Sequence, residues 1–138
     1  MLKLLIVDDE RIIRETMATI IDWNTLDIQL IGTAKDGIEA YNIILDEYPD
    51  IVLTDIKMPA LSGIELIAKI HEINPQTQFI ILSGYGEFEY AKKAMQYGVK
   101  HYLLKPCNEM QIVDSIKNIK KDYFQNITHF MKEDPETN

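Results

Sequence analysis

Lys3-Leu4-Leu5-Ile6-Val7 is a nearly continuous apolar run, and Asp8-Asp9-Glu10 ends it at once. A short run without alternation is the pattern of a strand covered on both faces, as in a parallel sheet with helices on either side. Past Glu10 the period changes. Ile12, Ile13, Met17, Ile20 and Ile21 recur at helical spacing up to the turn-rich Asp22-Trp23-Asn24-Thr25. Strand then helix is the unit from which the rest of the chain is read.

Four more such units complete the chain. Ile28 to Ala34 fits a second strand, and Asp36 with Glu39 forms a capping-box pattern for a helix through Tyr41, Ile44, Leu45 and Tyr48, stopped by Pro49. Asp50 to Asp55 is the third strand. After a loop with Pro59, Ser62-Gly63-Ile64-Glu65 repeats the capping box, and its helix runs through Ile67 and Ile70. Phe79 to Ser83 is the fourth strand, broken by Gly84-Tyr85-Gly86, and Phe88, Ala91, Met95 and Gly98 are expected to form one face of the fourth helix. His101 to Leu104 is the last strand. Asn108 is the expected cap of a final helix carrying Ile112, Val113, Ile116, Ile119 and Tyr123. Five alternating units give parallel pairing with right-handed crossovers. Eight would be needed to close a barrel, so the fold class is α/β with an open, doubly wound sheet.

Composition narrows the function. The chain has 138 residues, 46% of them hydrophobic, with 14 basic and 22 acidic side chains and a formal net charge of −8. That is one domain with enough apolar content for a core, and it lacks the basic face that nucleic acid or an anionic membrane requires. No apolar run approaches a membrane span, and the N-terminus has no leader pattern, so a cytoplasmic protein is expected. Cys107 is the single cysteine, read as a small buried hydrophobe. His71, His101 and His129 share no metal-ligand spacing and are not expected to carry phosphoryl transfer. Residues 124–138 lose the periodicity and are read as a C-terminal extension or linker remnant.

In an open α/β sheet, ligands bind outside the carboxyl ends of the strands. Those ends carry Asp8, Asp9 and Glu10 after strand one, Asp55 at strand three, Ser83 at strand four and Lys105-Pro106 after strand five. Each alone could be a helix cap, a turn residue or a solvated lysine; four strand ends together make a site. Carboxylates a few ångströms apart repel by several kcal/mol at an effective dielectric of ~20, so they need a cation or shared protons. Hard oxygen donors without nearby His or Cys favour Mg²⁺, with Mn²⁺ the alternative, over zinc. A divalent ion beside a carboxylate and a lysine suits phosphoryl chemistry, and a carboxylate can itself be the nucleophile.

Leu5-Ile6-Val7-Asp8-Asp9-Glu10, Asp55-Ile56-Lys57-Met58-Pro59-Ala60-Leu61-Ser62-Gly63, Ser83-Gly84 and Tyr102-Leu103-Leu104-Lys105-Pro106 together resemble the receiver domain of two-component response regulators. The likeness covers residues 1–123. It implies a flavodoxin-like (βα)5 sheet in strand order 2-1-3-4-5. It also implies that Asp55 accepts a phosphoryl group from a sensor histidine kinase, in a switch protein rather than an enzyme in the ordinary sense. By the same resemblance Asp8, Asp9, Asp55 and the Lys57 backbone carbonyl hold Mg²⁺, and Lys105 contacts the phosphoryl oxygens through a cis Lys105-Pro106 peptide.

Ser83 and Tyr102 look like the family's switch pair, with the serine hydroxyl turning to the phosphoryl group and the ring turning inward. The readout is the face of helix four, strand five and helix five, with a homodimer expected on phosphorylation. Lys57 and Tyr85 are placed to overhang the site and tune its hydrolysis. Ile21-Asp22-Trp23 and the segment from Ser83 to Ala94 are similar to receivers of AraC-type (YesN-like) transcription regulators, which imply a DNA-binding region beyond this chain. The alternative is a single-domain receiver acting by protein contacts. A phosphohydrolase of the haloacid-dehalogenase type would need Asp where Lys57 stands. A flavin or nucleotide binder would need a phosphate loop where Asp8-Asp9-Glu10 stands.

Overall fold

The computed structural model describes residues 1–132, with side chains described through residue 127. Five strands and five helices alternate: β1 (Leu2–Val7), α1 (Arg11–Ile20), β2 (Ile28–Ala34), α2 (Gly37–Glu47), β3 (Ile51–Asp55), α3 (Gly63–Ile73), β4 (Gln78–Ser83), α4 (Phe88–Gln96), β5 (His101–Leu104) and α5 (Glu109–Lys132). The strands form one parallel sheet in the order β2-β1-β3-β4-β5. All five carboxyl ends therefore lie along one edge, and the switch of strand order falls between β1 and β3, as the motifs at the strand ends lead one to expect.

The continuous apolar runs are explained by two cores. Successive strand side chains point to opposite faces. Leu5, Val7, Val52, Phe79 and Ile81 pack with Ala40 and Ile44 of α2 and Leu66, Ile67 and Ile70 of α3. Leu4, Ile6, Ile51, Leu53, Ile80 and Leu82 pack on the other face with Met17 of α1, Trp23, and Ile112, Ile116 and Ile119 of α5. Burying a side chain of this kind contributes about 1.5–3 kcal/mol, so both faces resist movement of the strand ends that carry the site.

Helices begin at the expected caps. The Asp36 carboxylate accepts from the Glu39 N–H at 2.8 Å. Ser62 and Glu65 form both halves of a capping box, and Asn108 and Gln111 exchange the same pair of bonds at α5. Tyr48 closes α2 in the left-handed region (φ 49°) directly before Pro49.

Two expectations need revision. The buried face of α4 is Ala91 and Ala94, while Phe88 and Met95 are exposed. The small side chains let the helix lie close to its neighbours, and the Lys92 ammonium sits 4.9 Å from the centre of the Phe88 ring. The last helix also does not end near Tyr123 but continues to Lys132. Past Ile119 it has outrun the sheet, and Tyr123, Phe124 and Ile127 are exposed. This stretch still carries apolar side chains, but the sheet does not cover them. Residues 133–138, the end of the expected C-terminal extension, lie outside the described residues.

Candidate functional site

The site is built by four strand ends. β1 delivers Asp8, which has no exposed surface; its Oδ1 accepts from the Glu10 N–H at 2.9 Å, and its backbone carbonyl accepts from Arg14 at 2.8 Å. β3 delivers Asp55, whose Oδ1 accepts weakly from the Lys57 N–H at 3.4 Å. Behind Asp55 the chain stays in the sheet for one more residue, because the Ile56 N–H donates to the Leu82 carbonyl at 3.0 Å. Gly63 then packs directly on this strand end, its N–H donating to the Ile56 carbonyl at 2.9 Å.

Lys105 joins the two carboxylates. Its Nζ donates to Asp55 Oδ2 at 2.9 Å and to Asp8 Oδ2 at 3.3 Å. The side chain is anchored at its base, where the Lys105 N–H donates to the Ser83 carbonyl at 2.7 Å and the Lys105-Pro106 peptide is cis. Desolvation raises the Asp55 carboxyl above its ordinary value, and Lys105 only partly offsets it. At Lys105 burial pulls the ammonium down, yet Asp55 and Asp8 outweigh it and the net shift is upward. The two directions agree physically: one ammonium is shared between two carboxylates in a half-dry pocket, so it is held firmly while Asp55 is not fully compensated.

Asp8, Asp9 and Glu10 each offer a carboxylate oxygen within 4.8 Å of one another, the group among the described residues with the geometry to hold a metal ion. Asp8 is buried, and Asp9 and Glu10 are exposed. Asp55 meets this group through Lys105. The donors are hard oxygens on a concentrated negative charge, which fits a hard divalent cation.

On the β4–β5 side, the Ser83 hydroxyl is buried and hydrogen-bonded to the Tyr102 hydroxyl, and the Tyr102 ring packs against the α2–α3 core. The ring thus already lies inward, the position that the family resemblance assigns to it after phosphorylation. Of the two residues expected to overhang the site, Lys57 holds its ammonium 5.7 Å from the centre of the Tyr90 ring, and Tyr85 is 97% exposed. Cys107 is half-buried against the α1–α5 core, and burial pushes its thiol up, in keeping with an inert role. His71 stacks edge-on with Tyr97, away from the strand-end carboxylates.

Three contributors are not evident from the sequence. Arg14 and Glu87 are ordinary charged residues on or beside helices, and nothing in their spacing shows that Arg14 reaches the Asp8 carbonyl or that Glu87 accepts from the Gly84 N–H. Gly63 is visible in the sequence as part of a capping pattern and of the motif that begins at Asp55, but with no role of its own. Its closeness to Asp55 comes from tertiary packing.

Comparison with known proteins agrees with this geometry. The sequence profile of the response regulator receiver domain matches residues 4–117. The chain is 59% identical over 119 residues to the uncharacterized transcriptional regulatory protein YesN of Bacillus subtilis, covering 86% of this chain and 32% of that protein. It is 45% identical over 112 residues to the transcriptional regulatory protein HptR of Staphylococcus aureus, covering 81% and 44%. The chain therefore spans 32% to 44% of the length of these curated relatives. Among solved structures, the receiver domain of AraT from Geobacillus stearothermophilus superposes with a TM-score of 0.85 at 35% identity, over 91% of this chain and 97% of that one. A two-component transcriptional regulator AraC from Clostridium phytofermentans gives 0.84 at 37%, over 91% and 97%. Strand-end carboxylates joined by a lysine, a flavodoxin-like sheet and these matches lead to one conclusion: the chain belongs to the response regulator receiver domain family.

Proposed function

We propose that Asp55 is the phosphoryl acceptor of this receiver. The observation that carries the reading is the Lys105 ammonium held between Asp55 and Asp8 at the carboxyl edge of the sheet. Asp55 Oδ1 has only the long contact from Lys57 and is the freer oxygen. It attacks phosphorus on the phosphohistidine of a sensor histidine kinase. The P–N bond breaks, its electron pair returns to the imidazole nitrogen, and an aspartyl phosphate forms. Lys105, already committed to Asp55 Oδ2, can shift to the incoming phosphoryl oxygens without leaving its anchor on Ser83. Asp8, Asp9 and Asp55, with the Lys57 carbonyl, would hold Mg²⁺ (Mn²⁺ the alternative), which when bound neutralises charge on those oxygens.

The same reading makes Ser83 and Tyr102 the switch. Their hydroxyls share one hydrogen bond, so a phosphoryl group that draws Ser83 toward Asp55 must break or rearrange it. Hydrogen bonds to charged groups contribute about 1.5–3 kcal/mol, enough for two of them to shift populations by roughly 10²–10⁴-fold. The readout is the α4–β5–α5 face, where Phe88, Met95, Leu104 and Met110 are exposed apolar side chains suited to a homodimer. In the longer relatives, which are named transcriptional regulators, that dimer would align a DNA-binding region; this domain itself, with its net charge of −8, does not touch DNA. Cytoplasmic residence goes with this role.

Intact mass after incubation with acetyl phosphate tests the acceptor. One phosphoryl adduct is expected on the wild type with Mg²⁺, and none with EDTA or on Asp55→Asn. An adduct that persists on Asp55→Asn would remove Asp55 from the role.

A further inference from the structure

The β4–α4 loop holds a carboxylate that phosphoryl acceptance at Asp55 does not use. Glu87 stands immediately before α4, where a side chain ordinarily caps its own helix, yet it makes no bond to the α4 amides. Its Oε1 instead accepts from the Gly84 N–H, and its Oε2 is buried with no partner among the described residues. Gly86, at φ 84°, supplies the left-handed turn that lets the chain fold back in this way.

The direction of the Gly84 N–H is set by strand alternation. The Ser83 carbonyl points to β5, because it accepts from the Lys105 N–H. The Leu82 carbonyl points the other way, to β3, where it accepts from the Ile56 N–H. In an extended strand the N–H of residue i+2 points to the same side as the carbonyl of residue i. Gly84 N–H is therefore aimed at the β3 side, the strand that ends in Asp55, and the group it finds there is the Glu87 carboxylate.

We propose that Glu87 is a positioning residue, a resident anion that occupies the Gly84 N–H until a phosphoryl group on Asp55 displaces it. The proposal rests on Asp55 being the acceptor. A phosphoryl group brings additional negative charge to a pocket already holding Asp8, Asp9, Glu10 and Asp55 against Lys105, and it competes for the same donor. Once released, Glu87 takes its backbone with it. Its carbonyl accepts from Tyr90 and Ala91, the first turn of α4, so displacement of the carboxylate is passed directly to the helix that carries Phe88 and Met95. Gly84 also suits the role sterically: a Cβ there would lie 3.1 Å from Glu87 Oε1 and crowd the contact.

Beryllofluoride with Mg²⁺, titrated into the wild type, Glu87→Ala and Glu87→Gln and followed by amide NMR, tests this. Glu87→Ala removes both the acceptor and the charge. It should bind beryllofluoride about tenfold more tightly, which corresponds to about 1.4 kcal/mol. Before any ligand or metal is added, its Gly84 amide resonance should already have moved to the value of a solvated N–H. Glu87→Gln keeps a carbonyl acceptor of the same length. It should leave the Gly84 resonance nearer its wild-type position than Glu87→Ala does, and bind beryllofluoride with an affinity between those of the wild type and Glu87→Ala. Affinity in Glu87→Ala within twofold of the wild type, or a Gly84 resonance that does not respond, would overturn the role of Glu87 while leaving Asp55 as acceptor. A wild type that binds no beryllofluoride would overturn both.

Discussion

Lys105 is the residue on which the pocket's electrostatics turn. It is shared between Asp8, which is wholly buried, and Asp55, which is 6% exposed. Replacing it with Met keeps the aliphatic stem and removes the charge, leaving two buried carboxylates facing one another. Breaking a buried pair in this way costs about 3 kcal/mol. The pH dependence identifies the cause. Asp55 already has a folded-state pKa above its ordinary 3.8, so its protonated form favours the fold and that contribution is lost as pH rises through the folded value. Without Lys105 the folded value rises further. Urea unfolding of Lys105→Met in EDTA should therefore differ little from the wild type below pH 3.8 and show its full deficit at neutral pH. An equal deficit at both would mean that lost packing, not lost charge, is responsible. Lys105, Asp8, Asp9, Asp55 and Ser83 were all legible in the sequence because strand ends in a parallel sheet share an edge, and a motif at a strand end is a statement about position. Glu87 and Arg14 were not. Their partners are backbone groups, and a backbone donor or acceptor leaves no mark in the residue alphabet.

At the scale of elements, the junction between β3 and α3 decides how firmly Asp55 is held. A Cβ on Gly63 would lie 2.5 Å from the Asp55 carbonyl oxygen and 2.8 Å from the Ile56 Cα, both backbone atoms that cannot swing aside. Gly63→Ala should push α3 off the strand end at a cost of about 1–3 kcal/mol. Because the clash is with Asp55 itself, phosphorylation by acetyl phosphate should slow as well. Ser62→Ala is the comparison: it removes the capping box one residue earlier, costs about 1 kcal/mol, and leaves the Asp55 backbone alone. Thermal melts and adduct formation measured on both variants separate the two effects. Should Gly63→Ala melt lower but accept phosphoryl at the wild-type rate, the strand end would be more tolerant than its packing implies. The α4 helix shows where element reading is weakest. Phe88 and Met95 are large and apolar, so they suggest an inward face, but the helix is seated by Ala91 and Ala94. Hydrophobic periodicity ranks residues by size and apolarity, whereas close packing on this face selects for smallness.

For the whole molecule, the alternation of periods was enough to give an open parallel α/β sheet, since five βα units admit few other arrangements. The length of α5 was not legible, because the part beyond the sheet is not shaped by any core. That difference has a thermodynamic consequence. Among the described residues, the last deeply buried side chain of α5 is Ile119, at 4% exposure, while Tyr123, Phe124 and Ile127 are 46%, 58% and 40% exposed. A chain ending at Tyr123 keeps every α5 side chain that is buried among the described residues, and both carboxylate-bearing loops. It should unfold in urea within about 1 kcal/mol of the full chain, as surface changes usually do, and form the Asp55 adduct at the same rate. A chain ending before Ile119 should not, since it exposes the α1–α5 core where Ile116 and Met17 meet. If the longer truncation product already lost several kcal/mol, the overhanging part of α5 would be a structural member of the domain. Its exposed apolar side chains would then need a covering surface that this packing does not supply.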